Sequence, residues 1–367
     1  MSLLEPLLTT TIPWVLDRGK NTPLHFGDPV AELALLQEHT ALVDFSHRGS
    51  LVISGNDRVD FLSGLVTNQI KNLAPTQSIY TTMLSPQGRF LWDFTLIDHG
   101  PEYVLDTEPD SVPDLKKSLE FYRLRSKVQI QDQSTQIVTL GLVGPTAGTS
   151  IARIFPTVAS VDYSTAPLGT TWVLENAIRL WRDPRHPDFG YRLQVPVSGF
   201  AELWQRLRAV LPPAGHWAWE AYRILHALPR GGAEWTSGET LPLEAGALEM
   251  NAVSFQKGCY VGQETTARTH HRGTLKKRLF HVTIESHEMV LPGTQILLPS
   301  GKEVGTVTSS VLMDGKVWGL ALLRVGDMTS ETSVTALGGA VSVKRPQWAT
   351  WATAATAATA ATAATAE

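Results

Sequence analysis

The pattern of the chain changes at Leu275, and no other feature constrains the fold as much. From there on, short stretches alternate apolar and polar residues: 279–284, 295–298, 303–310, 317–323 and 341–343. Pro292-Gly293, Ser300-Gly301 and Asp314-Gly315 mark tight turns between them. Alternation with period two buries one face of a strand, and short strands joined by glycine turns close up as a small β-barrel or sandwich.

Before that point, strands and helices mix. Asp28-Pro29 opens a helix that turns Val30, Leu33 and Leu36 to one side, with the carboxylate as its cap and proline in its first turn. Residues 41–54 read as strand, interrupted by Ser46-His47-Arg48-Gly49. Gly55-Asn56-Asp57 is a turn and a cap for a helix that buries Phe61, Leu62 and Leu65 and ends at Thr67-Asn68. Strands 79–84 and 89–97 flank the turn Ser85-Pro86-Gln87-Gly88, which makes a hairpin. A helix follows over 110–124, then strands over 128–130 and 136–143. A hairpin among helices favours α+β over a doubly wound parallel sheet. A second mixed unit opens at Gly144-Pro145, with strands near 171–174, 178–181 and 191–195 and helices near 199–211 and 217–227. Residues 230–255 are a long approach loop, a length that is usually functional or disordered. The expected partition is 1–143, 144–274, a barrel over 275–346, and a tail over 347–367. That tail is an Ala/Thr repeat with no apolar face beyond Trp348 and Trp351, expected to lack a catalytic role.

Composition narrows the function classes. A formal charge of −4 over 367 residues gives no basic excess for nucleic acid. A single cysteine excludes an intrachain disulfide and any site that needs about four thiolates from one chain. No stretch has the roughly 18 apolar residues of a membrane span, and Met1 to Lys20 carries no signal-peptide pattern. The expectation is a cytoplasmic protein that binds neither membrane nor nucleic acid.

The lone cysteine lies in Lys257-Gly258-Cys259-Tyr260-Val261-Gly262-Gln263-Glu264, followed by Arg268, His270, His271, Arg272 and Gly273. Good helix formers and an early glutamate predict a helix from near Gln263. Cys259 then precedes a helix N-terminus, with Lys257 and Arg268 near in sequence, and these conditions favour a thiolate. The flanking glycines can take positive φ or let the backbone approach a ligand. The plain alternative is a small buried apolar residue. No HExxH or CxxC is present and adjacent histidines point apart, so no metal site is expected; His270, His271 and Arg272 read as a polar turn. Asp93, between Trp92 and Phe94, is either an outward position on an edge strand or a ligand-binding carboxylate with an aromatic wall. Arg223 is either a helix-surface cation or an internal anchor for a carboxylate.

The motif Lys-Gly-Cys-Tyr-x-Gly-Gln-Glu, with Arg268 and Arg272-Gly273 after it, resembles the signature of the YgfZ-type proteins. These are folate-binding relatives of the aminomethyltransferase (T-protein) of glycine cleavage and act in iron–sulfur cluster assembly or repair. Asp44 to Gly49, Ser54 to Asp57, Phe61-Leu62 and Thr67-Asn68 are similar to the N-terminal pattern of that superfamily. Gln87-Gly88-Arg89 through Asp93 resembles its hairpin, and Arg223-Ile224, Pro229 and Glu234 its helix and turn. The likeness covers about residues 25 to 345. Two departures set the chain apart from the T-protein: Trp92-Asp93 replaces two consecutive acids, and Arg223-Ile224-Leu225 lacks the glutamate of Arg-x-Glu.

The resemblance implies two mixed α/β units and a small barrel around a central channel. Tetrahydrofolate or a derivative would lie there, near Asp93, Trp92 and Arg223. Gly258, Tyr260, Gly262, Gln263, Glu264 and Arg268, in the loop at one mouth, would join them in holding the folate, and Cys259 with Lys257 would carry the chemistry. The partners implied are iron–sulfur client enzymes or assembly proteins, and the chain is expected to be a monomer of the cytoplasm, or of the mitochondrial matrix in a eukaryote. A folate-dependent accessory protein fits better than a classical aminomethyltransferase. The alternatives are a true aminomethyltransferase or demethylase, and a scaffold without catalysis.

Overall fold

A computed structural model describes residues 3–8, 11–156, 162–272, 275–328 and 332–351. Gly273 and the Ala/Thr repeat over 352–367, both singled out above, lie outside the described residues. The chain divides into two compact units. The first takes in Met1–Leu84, Trp92–Tyr222 and Met250–Val261; the second takes in Ser85–Leu91, Arg223–Glu249 and the chain from Gly262 onward.

Besides the two-stranded ribbon Trp14–Asp17 with Lys20–Pro23, the first unit holds two larger sheets, and the interruption at residues 46–48 explains why there are two. Ser46 N–H donates to Asp44 Oδ1 at 2.8 Å and Arg48 N–H to the Phe45 carbonyl at 3.0 Å, a tight turn in mid-strand. Ala41–Asp44 before the turn joins one sheet and Gly49–Ser54 after it joins the other. The six-stranded sheet runs Thr171–Val173, Arg179–Arg182, Tyr191–Pro196, Ile137–Val143, Ala41–Asp44, Pro213–Ala214, so it draws strands from both sides of residue 143. The five-stranded sheet runs Ser78–Leu84, Phe90–Asp98, Glu102–Thr107, Gly49–Ser54, Gln129–Asp132.

Each sheet has its own helices. Ala147–Ile154 and Val197–Arg208 supply Ile151, Ile154, Phe200, Leu203, Trp204 and Leu207 to the core that also holds Leu140, Leu142 and Leu193. Phe61 and Leu62 from Arg58–Ser63, with Leu115 and Leu119 from Val112–Arg123, join Leu51, Ile53, Phe94 and Leu105 in the other core. The helix expected after Asp28 is Pro29–Glu38, and the Asp28 carboxylate accepts from Val30 N–H and Ala31 N–H at 2.9 and 3.2 Å. Asp57 departs from expectation. It makes no side-chain bond to the helix it precedes and accepts from Lys127 N–H at 2.7 Å instead. That partner is 70 residues away in sequence, so no local pattern could reveal it. The strand Glu102–Thr107, the helix Ala147–Ile154 and the strand Val334–Ala336 were also not foreseen.

The second unit contains a closed six-stranded barrel, ordered Lys277–Ile284, Lys316–Arg324, Glu303–Met313, Gln295–Leu297, Val334–Ala336, Gly339–Lys344. Phe280, Val282 and Ile284 point inward at period two and meet Val304, Val307, Val317, Ala321 and Leu323. The register shifts between Val307 and Ser309, a bulge that turns two consecutive hydroxyls toward one carboxylate. Thr308 and Ser309 both donate to Glu234 Oε1, at 3.1 and 2.5 Å.

Candidate functional site

The cysteine loop belongs to the first unit and is anchored there residue by residue. Thr67 Oγ1 donates to the Ala252 carbonyl at 2.6 Å, and the Thr67 carbonyl accepts from Ser254 N–H at 3.0 Å. Asn68 Nδ2 donates to the Tyr80 and Asn251 carbonyls at 2.8 and 2.7 Å. Asn251 sits at φ 55°, a left-handed conformation that asparagine tolerates better than most residues, and its own amide donates to the Pro184 and Arg185 carbonyls. Val261 N–H donates to the Gly64 carbonyl at 3.1 Å.

Lys257 is the central tie. Its Nζ donates to the carbonyls of Ser63 and Asn68, both at 3.0 Å, and to that of Val66. The ammonium also lies 4.8 Å from the centre of the Tyr260 ring, which is itself buried. Burial, with Lys71 nearby, pulls its pKa down to about 8, so at neutral pH it still holds those carbonyls as a cation. With Lys257 and Tyr260 turned inward, Cys259 between them is left exposed. This excludes the reading of Cys259 as a buried apolar residue. Of the two glycines, only Gly262 needs positive φ, at 82°; a Cβ on Gly258 would meet open space. The helix foreseen from Gln263 is Gln263–Arg272, in the second unit, with Gln263 half-buried and Glu264 and Arg268 exposed. Among the described residues, no three His, Cys, Asp or Glu side chains gather as a metal site.

Asp93 is not an edge residue. Its strand is an inner one of the five-stranded sheet, and the side chain is buried. Tyr80 Oη donates to Asp93 Oδ2 at 2.6 Å. Burial raises the Asp93 pKa and the nearby Glu108 charge adds to it, while Tyr80 and two arginines oppose the shift. Trp92 beside it is half-buried and packs on the apolar core of that sheet. Arg223 is likewise internal, and the carboxylate it anchors is the protein's own. Its Nη1 lies 3.2 Å from Glu234 Oε2, and its Nη2 donates to Ser309 Oγ at 2.7 Å.

The interior of the first unit holds more charge than the sequence reading foresaw. Arg48 donates to Asp106 and Glu108 at 2.8 and 2.7 Å. Arg185 grips Asp183 with two bonds at 2.9 and 2.7 Å and lies 3.6 Å over the Phe189 ring. Arg192 reaches the same Asp183 at 3.7 Å and lies 4.0 Å over Phe45, and its Nη1 finds no partner among the described residues. Burial pulls the Arg192 pKa down to about 9. In sequence, Arg192 and Gln194 alternate with Tyr191, Leu193 and Val195 and pass for the wet face of a strand. All five are buried.

The family model described as the GCVT N-terminal domain matches residues 18–257. The chain belongs to that family. Residues 276–351 match a second model, the CAF17 C-terminal beta-barrel domain, which falls on the barrel described above. Among curated relatives of this GCVT-family chain is the mouse (Mus musculus) mitochondrial iron–sulfur cluster assembly factor IBA57, 32% identical over 83% of this chain and 84% of the relative. The human (Homo sapiens) protein of that name is 31% identical over 88% and 87%. The crystal structure of the glycine cleavage system aminomethyltransferase T from Bartonella henselae superposes with a TM-score of 0.79, covering 92% of this chain and 94% of that one. At 18% identity that likeness shows the fold alone. The chain thus has the aminomethyltransferase T fold, with mixed α and β content and a closed C-terminal barrel.

Proposed function

We propose that this chain supports the assembly or repair of iron–sulfur clusters, as a YgfZ-type factor whose working group is the Cys259 thiol. The observation that carries the reading is an exposed thiol on a loop whose Lys257 is tied to backbone carbonyls and whose Tyr260 is buried. The names of its relatives support the same role. One cysteine can donate one ligand to a cluster that is cargo, and a cluster needs about four such ligands, so the rest must come from a partner protein or small thiols. Lys257 then acts as a strut that sets where the sulfur stands. The compartment we propose is the mitochondrial matrix in a eukaryotic cell, as the relatives' names suggest, or the cytoplasm of a bacterium.

The test is Cys259→Ala in a strain that depends on this protein. Loss of activity in radical and hydratase iron–sulfur enzymes is expected, and unchanged activity refutes the role of the thiol.

Tetrahydrofolate is the finer part of the reading, and two of the side chains named for it are already engaged within the protein. Asp93 is buried against Tyr80, and Arg223 is buried against Glu234 and Ser309. Tyr80 takes one Asp93 oxygen, and Glu234 and Ser309 already engage Arg223, so no step is routed through folate. Calorimetry with tetrahydrofolate decides the matter. A saturable heat that Asp93→Asn weakens would put folate at the site, and no heat at saturating ligand would leave the thiol to act without it.

A further inference from the structure

The helix Val112–Arg123 buries Val112, Leu115 and Leu119, yet its C-terminal end turns apolar side chains outward. Phe121 is 74% exposed and Leu124, which closes the helix, is 87% exposed. Leu124 has φ 43° and ψ −106°. Helix ends with positive φ are normally glycine, because a Cβ there crowds the backbone. A leucine in that position carries the strain and gains no burial in return, so folding alone does not account for it.

The surroundings of this pair are basic. Lys117, Arg123, Arg125 and Lys127 are all exposed. Residues 112–127 carry five Lys or Arg against Asp114 and Glu120, a local excess of three positive charges in a chain whose formal charge is −4.

We propose that Phe121 and Leu124, with this basic collar, form a docking face for an acidic protein surface that carries an apolar pocket. The charges select and steer an acidic partner, and the two apolar side chains supply the anchor. A protein is favoured over an anionic bilayer because lipid binding grows with the apolar area inserted, and two side chains supply little of it, whereas a shaped pocket can be filled by two. The inference does not depend on the role of Cys259.

Photo-crosslinking tests it in intact cells, with Phe121→benzoyl-Phe and, as a control, Val173→benzoyl-Phe at a position that is 64% exposed. An acidic protein should be captured from position 121 and not from 173. With that partner purified, Leu124→Gly in the full chain should weaken binding about tenfold. Arg123→Glu with Arg125→Glu should weaken it further, and added salt should weaken the unmodified pair. Leu124→Gly removes the strain, so a melting temperature unchanged or raised separates lost docking from lost folding. Phosphatidylserine vesicles are the second probe. The proposal fails if crosslinks from 121 reach only lipid, if the vesicles bind the chain and lose it with Leu124→Gly, if no protein is captured, or if the captured protein binds the Leu124→Gly chain equally well.

Discussion

The core of the barrel and the interior of the first unit are built in opposite ways. Inside the barrel, Phe280, Val282, Ile284, Val304, Val317 and Leu323 form a wholly apolar cluster. Inside the first unit, Asp93, Asp106, Asp183, Arg185 and Arg192 are all buried, paired with one another or with tyrosine and threonine hydroxyls. Apolar burial stabilises in proportion to area and asks little of geometry. Buried charge is costly to desolvate and holds only while every partner stays in place. The first interior is therefore the more fragile, and it sits in the unit that anchors the cysteine loop. The barrel reads as support, the first unit as the part in which position matters.

The largest expected effect tests this contrast directly. Asp183→Ala leaves two buried guanidiniums facing each other and should cost about 3–5 kcal/mol of unfolding free energy by denaturant titration. Ile284→Val in the barrel should cost only about 1 kcal/mol. Equal costs would break the comparison.

Acid should separate the units next. Burial raises Asp44 from 3.8 to about 6, so the folded first unit holds a proton that the unfolded chain has released. Its contribution is full below pH 3.8 and is lost as pH rises through about 6. His281, on the outer side of the barrel yet buried, is lowered from 6.5 to about 4 by burial and by Lys344. Its contribution is present above pH 6.5 and is lost as pH falls through about 4. Each shift amounts to about 3 kcal/mol. Between neutral pH and pH 5, hydrogen-exchange protection should therefore fall in Lys277–Ile284 and hold or rise in Ala41–Asp44. His281→Gln should flatten the barrel's response.

Smaller effects sharpen the reading of the first unit. Lys257→Met keeps the apolar stem but strips three carbonyls of their donor, for about 1.5–3 kcal/mol. Faster exchange confined to residues 250–261 would show that the lysine holds the loop, and lost cluster delivery with the thiol still present would make it a positioning residue. Cys259→Ala should shift stability by no more than about 0.5 kcal/mol, since the side chain is exposed. A large loss would mean that the thiol packs rather than works.

Much of this was readable from residue order. The barrel's turns, the capped helix after Asp28, the hairpin around Ser85–Gly88 and the helix from Gln263 all follow from short-range patterns, because turns, caps and periodicity are set by neighbours a few residues apart. The cysteine motif is equally local. Long-range pairings were not legible. Asp57 meets Lys127, Arg223 meets Glu234 and Ser309, and Lys257 meets the carbonyls of residues 63–68. Arg192 and Gln194 show the limit best. Their alternation says only that they share one face of a strand, and whether that face meets water or another layer is settled when the layers assemble. The sequence by itself determined most of the elements and where the lone cysteine lies in the chain. Only the tertiary structure decided which charges are buried, which carboxylates are already taken, and that Cys259 faces out while Lys257 faces in, because burial and pairing depend on residues tens to hundreds of positions apart.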